Sequence, residues 1–530
     1  MQIKHLTLLI MAVLLLLVGI FDHSLWTPDE PRVAEIARTM AVTGDYLIPH
    51  LAKDPFLEQP PLYYAVTGLF WRVLGTGNEG FGRLSSVLFA LGSISVVFFG
   101  MRSLYGIGPS VLASLMLVTT AGFFGISHKM VVDNALAFFI TAALFSFLLA
   151  YQGIMKKGYP VFWLCLAGAF LTKGIIGIAI PGMAVVLFVF WQKDFAVIKR
   201  AWVIPGIAVI AAALAAWGGV LYLRGGLDYL YTFFLYNNLG RFMNVGIYKG
   251  GHIQPFYHYL PIVFSNGMPW GLLLIPALVF LKKPDVRLKF FYCWFFGGMF
   301  LLSLASTKRD LYFLPMYPAL VSMVAVWMER TTLQQPSLWE QRWLRIVATL
   351  IGLACIVVPA AYVVKLGGSI PVAVILFLVS MVLLWILFRK LPFTLPERVV
   401  GSWAVIVIVW ATLIFHQVDT LKTYKPFFQE AGRYVGKEEV IGYNLSETVL
   451  AFCPFYGGFH AENVSDKNRF MEMVSQKKTR YVLFLPKKSD MDLGHLLASN
   501  GLRLLQIENQ EKRPTEFWRL SESTPLQGAQ

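Results

Sequence analysis

Pro-Leu-Tyr-Tyr-Ala-Val-Thr-Gly-Leu-Phe-Trp-Arg-Val-Leu, residues 61–74, is the stretch on which the reading of this chain turns. It is apolar enough to pass for a membrane span, yet it falls short of the roughly 17–25 residues a crossing helix needs and closes on Trp71-Arg72. Charge bias decides the matter. If the segment lies flat at the interface, the basic loops at Arg102, Lys156-Lys157, Lys193 to Arg200, Lys282 to Lys289, Arg330 to Arg345 and Arg389 to Arg398 all fall on the side of the N-terminus, a consistent positive-inside arrangement. If it spans, they all fall outside. Residues 26–81 therefore read as one long extracytoplasmic loop with two interfacial helices, Pro31–Met40 opened by Asp29-Glu30, and Pro61–Leu74.

Working outward, the composition assigns the class. Of 530 residues, 57% are hydrophobic, 15% aromatic and 14% charged, where a soluble chain carries about a quarter charged residues. Apolar runs near Leu6–Leu25, Gly82–Met101, Pro109–Ser127, Val131–Tyr151, Pro160–Leu171, Ile175–Trp191, Trp202–Leu223, Tyr259–Leu281, Phe290–Ala305, Leu311–Met328, Leu344–Val364, Pro371–Phe388 and Gly401–His416 make about thirteen spans of an α-helical polytopic membrane protein. The first lacks a small-residue cleavage site before Asp22 and reads as a retained helix. The net charge of +15 comes from Lys and Arg dispersed among short loops, without the clustered basic stripe of a nucleic-acid binder.

Behind this membrane domain, residues 1–418, the chain turns soluble in character from Asp419. Helices are expected over Phe427–Val435, Asn468–Gln476 and Met491–Ser499. Strands are expected over Val440–Tyr443, Arg480–Leu485, Leu502–Ile507 and Glu516–Leu520. Residues 419–530 thus form a small extracytoplasmic α/β domain, with neither a glycine-rich phosphate loop nor a nucleophile elbow, whose expected role is structural or accessory. Cys165, Cys293 and Cys355 lie in spans and Cys453 stands alone in the tail, so neither a disulfide nor a zinc spacing is indicated.

The same parity collects a set of charged and aromatic residues on the outer face: Asp29, Glu30, Arg32, Glu58 and Tyr63; His128, Lys129 and Asp133; Lys173; Arg241, Lys249, His252 and His258; Lys308, Arg309 and Tyr312. Carboxylates and cations at one membrane face suit a phosphate-bearing substrate that also needs a base or a metal. Each residue has a plainer alternative. Asp29 and Glu30 could cap a helix, Glu58 could be a loop charge, Asp133 could cap the fourth span or neutralise Lys129, Lys308 and Arg309 could snorkel, and the tyrosines could belong to the aromatic belt.

Asp29-Glu30-Pro31-Arg32-Val33-Ala34-Glu35-Ile36-Ala37-Arg38, Thr43-Gly44-Asp45-Tyr46-Leu47-Ile48-Pro49 and Glu58-Gln59-Pro60-Pro61-Leu62-Tyr63-Tyr64 resemble the first loop of the ArnT-like and protein mannosyltransferase superfamily, the GT-C integral-membrane glycosyltransferases. Leu171-Thr172-Lys173-Gly174, Arg241-Phe242, Pro255-Phe256-Tyr257-His258-Tyr259, Pro269-Trp270 and Ser306-Thr307-Lys308-Arg309 followed by Leu311-Tyr312 are similar to further segments in the same order. The resemblance implies transfer of a sugar, with inversion, from a polyprenyl-phosphate carrier to a lipid A, glycan or protein acceptor at the periplasmic face of the bacterial inner membrane. It implies Asp29, Asp133 and Glu58 as catalytic carboxylates, and Arg32, Tyr63, Lys173, Arg241, Lys308, Arg309 and Tyr312 as substrate-binding residues. Gln59 stands where the family's Glu-Lys-Pro-Pro motif has lysine, and Asn237-Asn238 where a histidine can share a metal with the glutamate. The need for a divalent metal stays open, with His252 or His258 as substitutes.

Two other classes compete. A transporter or flippase of a phosphorylated lipid would also gather cations and carboxylates, but should show repeated halves and midplane polar residues. A structural assembly protein leaves the ordered motifs unexplained.

Overall fold

The computed structural model describes residues 3–243, 252–334, 336–388, 394–476, 480–484, 491–504 and 516–520. Its contacts divide the chain into two compact units. One comprises Met1–Ile20, Leu57–Val66 and Arg83–Phe415; the other comprises Phe21–Phe56, Thr67–Gly82 and His416–Gln530.

The first unit is a helical bundle, and a helix falls on each of the expected spans. Among the described residues seven helices are long and apolar enough to cross a membrane, or nine if two bent pairs each count as one span. Helix Ile176–Gln192 is shorter than these, as is the Ile370–Val382 stretch of helix Ile370–Phe388. Leu62–Leu74 is a helix of 13 residues. That is about 20 Å of rise against a hydrocarbon core of roughly 30 Å, too short to cross.

The two bent pairs explain each other. Helices Ile107–Thr119 and Ala121–Ser127 meet at 65°, and Phe256–Ser265 and Trp270–Phe280 at 105°. A break inside an apolar bundle strands backbone groups that water cannot reach. Here Ala121 N–H donates to the Met268 carbonyl at 3.0 Å and Gly122 N–H to the Asn266 carbonyl at 2.7 Å. The Trp270 indole adds a bond to Thr119 Oγ1 at 3.0 Å and the Trp403 indole one to the Thr119 carbonyl at 3.1 Å. Gly122 is required for the fit, because a Cβ there would lie 2.4 Å from the Tyr317 hydroxyl.

The loops that charge parity assigns to one side do gather at one end of this unit. Arg287 donates to the Leu104 carbonyl, and Tyr105 donates to Asp285 at 3.0 Å. Arg330 reaches the Phe280 carbonyl at 2.6 Å, Lys289 lies over Trp191 at 5.8 Å and Arg200 over Tyr151 at 5.8 Å. Arg389 and Lys390 lie outside the described residues.

In the second unit, helix Glu30–Thr43 carries the second half of helix Leu62–Leu74, and Gly68 permits the approach: a Cβ there would meet the Ala37 carbonyl at 3.0 Å. A small hairpin follows, β1 (His50–Leu51) with β2 (Asp54–Pro55). Among its described residues the tail holds five strands, β3 (Val440–Tyr443), β4 (Ala461–Val464), β5 (Tyr481–Phe484), β6 (Leu502–Leu504) and β7 (Glu516–Leu520). Their order is β4-β3-β5-β7-β6, with β3 parallel to β4 and β5, and β7 antiparallel to β5 and β6. Helices Lys425–Val435, Lys467–Ser475 and Met491–Ser499 match the expected ones. Strand β4 and helix Glu447–Phe452 were not expected.

Candidate active site

In the helical unit the chemistry-bearing residues converge where helix ends meet. Helix Asp133–Tyr151 and helix Gly158–Lys173 are antiparallel neighbours joined by a short turn, so the first residue of one faces the last residue of the other. Lys173 Nζ donates to Asp133 Oδ1 at 2.5 Å. Each charge also complements its own helix dipole, the carboxylate at an N-terminus and the ammonium at a C-terminus. Asp133 is buried and Lys173 largely so, with side-chain exposures of 4% and 10%. Tyr312, in the 3-10 turn Asp310–Met316, places its ring 4.2 Å from the ammonium. Three expected site residues are thereby brought together. Gly174 closes the helix at φ 73°, and a Cβ there would lie 2.8 Å from Asn238 Oδ1.

Glu58 is half-buried, and the backbone before it is held by Asn237, whose amide donates to the Leu57 carbonyl at 2.9 Å. Asn238 donates to the Phe233 carbonyl at 2.8 Å. The two asparagines thus act as backbone braces. Gln59 Oε1 accepts from the Tyr64 hydroxyl at 3.2 Å. Tyr63 corrects an expectation. It is 0% exposed, its hydroxyl lies 2.5 Å from Ser86 Oγ and accepts from Ser85 at 3.3 Å, and Ser86 passes the chain on to the Lys129 carbonyl at 2.6 Å. It braces the Glu58 segment instead of offering a ring to a sugar.

Lys308 corrects another. Its ammonium is buried and turned onto two carbonyls, Gln254 at 3.0 Å and Ala305 at 2.5 Å, and burial lowers its pKa below the usual lysine range. An ammonium so engaged ties the loop to the end of helix Val286–Leu304. Arg309 is half-buried beside it, and its carbonyl accepts from Tyr259 at 3.4 Å. Arg241 lies in the short helix Arg241–Met243; its side chain and all of Lys249 fall outside the described residues. His258 Nε2 is 3.2 Å from Asp310 Oδ1, and His252 is exposed. Among the described residues no three His, Cys, Asp or Glu side chains converge as a metal cradle. The described donor set does not fit a divalent metal.

In the other unit, Asp29 immediately precedes helix Glu30–Thr43 but its side chain makes no capping bond. It is directed at Arg32 instead, with Nη2 to Oδ1 at 2.6 Å. Glu30, 1% exposed, accepts the Trp26 backbone N–H at 2.8 Å and so fixes the turn ahead of Asp29. A second carboxylate, Glu447 of the tail, holds the other Nη of Arg32. Glu447 went unnoticed in the sequence; its one local signal is Ser446, which caps helix Glu447–Phe452.

Residues 58–218 match the family model of dolichyl-phosphate-mannose-protein mannosyltransferases. The undecaprenyl phosphate-α-4-amino-4-deoxy-L-arabinose arabinosyl transferase of Pectobacterium atrosepticum is 25% identical over 95% of this chain and 96% of its own length. That of Edwardsiella ictaluri is 31% identical over 62% of this chain and 59% of its own. The crystal structure of ArnT from Cupriavidus metallidurans bound to undecaprenyl phosphate superposes with a TM-score of 0.79 at 18% identity, covering 97% of both chains, and so shares the fold. The ordered loop motifs, the polytopic helical fold and the end-to-end relative agree, and the chain is similar to the ArnT-like integral-membrane glycosyltransferases of the GT-C superfamily.

Proposed function

We propose that this enzyme moves 4-amino-4-deoxy-L-arabinose from undecaprenyl phosphate to a phosphate or hydroxyl of an envelope lipid, at the periplasmic face of the inner membrane. The observation that carries the reading is the relative matched over 95% of this chain and 96% of its own length, because the match includes the tail as well as the helices.

In this reading the acceptor oxygen attacks the anomeric carbon of the sugar. The bond from that carbon to the phosphate oxygen breaks, and undecaprenyl phosphate leaves with the electron pair. A hydroxyl acceptor gives its proton to the Asp29 carboxylate, which acts as general base. A phosphate acceptor is already anionic, and Asp29 then steadies the positive charge developing on the sugar. Lys173 has three N–H donors and commits one to Asp133, which leaves others for the donor phosphate oxygens. Tyr312 under the ammonium and Asp133 beside it hold that charge in place. Glu58 supplies a further carboxylate, and Arg309 and Arg241 further positive charge. Lys308 contributes through the loop it ties down.

The test is transfer by the purified protein in detergent, from undecaprenyl phosphate carrying labelled 4-amino-4-deoxy-L-arabinose to lipid A. Label appearing in lipid A supports the reading. Label appearing only with a different polyprenyl-linked sugar replaces the sugar, and movement of intact donor across a vesicle membrane without transfer replaces the reaction by flipping.

A further inference from the structure

The segment Ser24–Arg32 that delivers Asp29 is held by the tail through a series of side-chain bonds, all inside one compact unit. Asp419 Oδ1 accepts from Ser24 N–H at 3.0 Å, from Ser24 Oγ at 2.7 Å and from the Trp26 indole at 2.9 Å. The Tyr456 hydroxyl accepts from Leu25 N–H at 2.9 Å and donates to Glu79 at 3.0 Å, while Lys425 holds the same Glu79 oxygen at 2.7 Å. Thr448 Oγ1 donates to the Pro28 carbonyl at 3.0 Å. At the end of the series the Arg32 guanidinium bridges two carboxylates, Asp29 through Nη2 and Glu447 through Nη1.

Guanidinium is a rigid planar fork, so anchoring one Nη fixes the plane in which the other presents its N–H. Glu447 therefore sets the direction from which Arg32 meets Asp29. We propose that Glu447 is a positioning residue for sugar transfer, acting through Arg32 on the Asp29 carboxylate, so that the tail domain is a working part of the catalytic apparatus. The proposal rests on Asp29 being the reacting carboxylate. A purely structural role for the bridge is a weak competitor. The Arg32 and Glu447 side chains are 21% and 47% exposed, and ion pairs so open to water contribute little to folding. A carboxylate that did nothing but stabilise would leave turnover unchanged.

The experiment compares wild type, Glu447→Gln, Glu447→Asp, Arg32→Ala and Arg32→Ala/Glu447→Gln in the purified transfer assay, reading kcat, donor KM and Tm in detergent. Glu447→Gln is expected to lower kcat about tenfold through misorientation, with donor KM and Tm unchanged. Glu447→Asp should recover most of the loss. The double variant should be no slower than Arg32→Ala, because Glu447 acts only through Arg32. Wild-type kcat in Glu447→Gln, a loss of kcat matched by a fall in Tm, or multiplying effects in the double variant would each overturn the proposal. Asp29→Asn, run alongside, separates the two levels. If it keeps turning over, the reading of Asp29 fails first; if it is inactive while Glu447→Gln is fully active, only the positioning role fails.

Discussion

Replacing Lys173 by methionine should cost this enzyme both stability and activity, and the two losses can be pulled apart. Lys173→Met keeps the length and apolar stem of the side chain and removes the charge. It leaves the buried Asp133 without the ammonium now 2.5 Å away. Breaking a buried pair from one side costs about 3–5 kcal/mol, because the surviving charge stays desolvated. The helix N-terminus beneath Asp133 returns about 0.3–1 kcal/mol of that. The net expectation is roughly 2–5 kcal/mol for the single variant. Removing both charges, as in Asp133→Leu/Lys173→Met, should bring stability back to within about 1 kcal/mol of wild type. Transfer should stay lost, since the charge proposed to meet the donor phosphate is gone. Unfolding in detergent by denaturant gives the first quantity and the labelled-sugar assay the second. Equal stability of wild type and Lys173→Met would refute the energetic argument. Full activity in the stable double variant would remove the pair from the site.

Glu35 is buried, and burial raises its pKa above the ordinary 4.5 although its bonds to Arg38 and Thr39 pull the other way. The folded form then holds the proton more tightly than the unfolded one, so Glu35 costs stability once the pH rises past 4.5, and the cost levels off above the raised folded value. Glu35→Gln should therefore flatten that part of the stability profile, and an unchanged slope between pH 4 and pH 7, measured by thermal unfolding at about one-unit intervals, would contradict the assignment. Lys308→Ala should leave donor KM within about twofold and lower Tm instead, because the ammonium bonds Gln254 and Ala305 carbonyls and not solvent-facing ligand; a rise in donor KM at constant Tm would restore it as a phosphate contact. Gly122→Ala would set a methyl 2.4 Å from the Tyr317 hydroxyl and should cost about 1–3 kcal/mol by overpacking. Denaturant unfolding checks this, and a neutral result would mean that Tyr317 moves freely.

The apolar runs and charge parity were enough to place the helices, because span length and loop charge are local quantities. The tail strands Val440–Tyr443 and Tyr481–Phe484 were legible for the same reason, being short apolar runs bounded by polar residues. Strand Ala461–Val464 was not. It lies at a sheet edge with its middle exposed, so its sequence shows no buried face. Nor did the sequence reveal the breaks at Thr120 and between Ser265 and Trp270, since the groups that make them tolerable belong to each other across the bundle. The ordered motifs named Asp133, Lys173 and Tyr312 one by one, but their pairing, the inward turn of Lys308 and the burial of Tyr63 depended on packing that one-dimensional spacing does not encode. Glu447 and Asp419 were missed because their partners lie some 400 residues earlier in the chain.

The most direct measurement is transfer of labelled sugar from undecaprenyl phosphate to lipid A by purified wild type and Asp29→Asn, alongside donor binding and Tm for both. The substitution keeps the size of a side chain that makes no capping bond and removes the charge that faces Arg32. The expected result is transfer by wild type, no detectable transfer by the variant, and unchanged donor binding and Tm. Turnover by Asp29→Asn near the wild-type rate would contradict it.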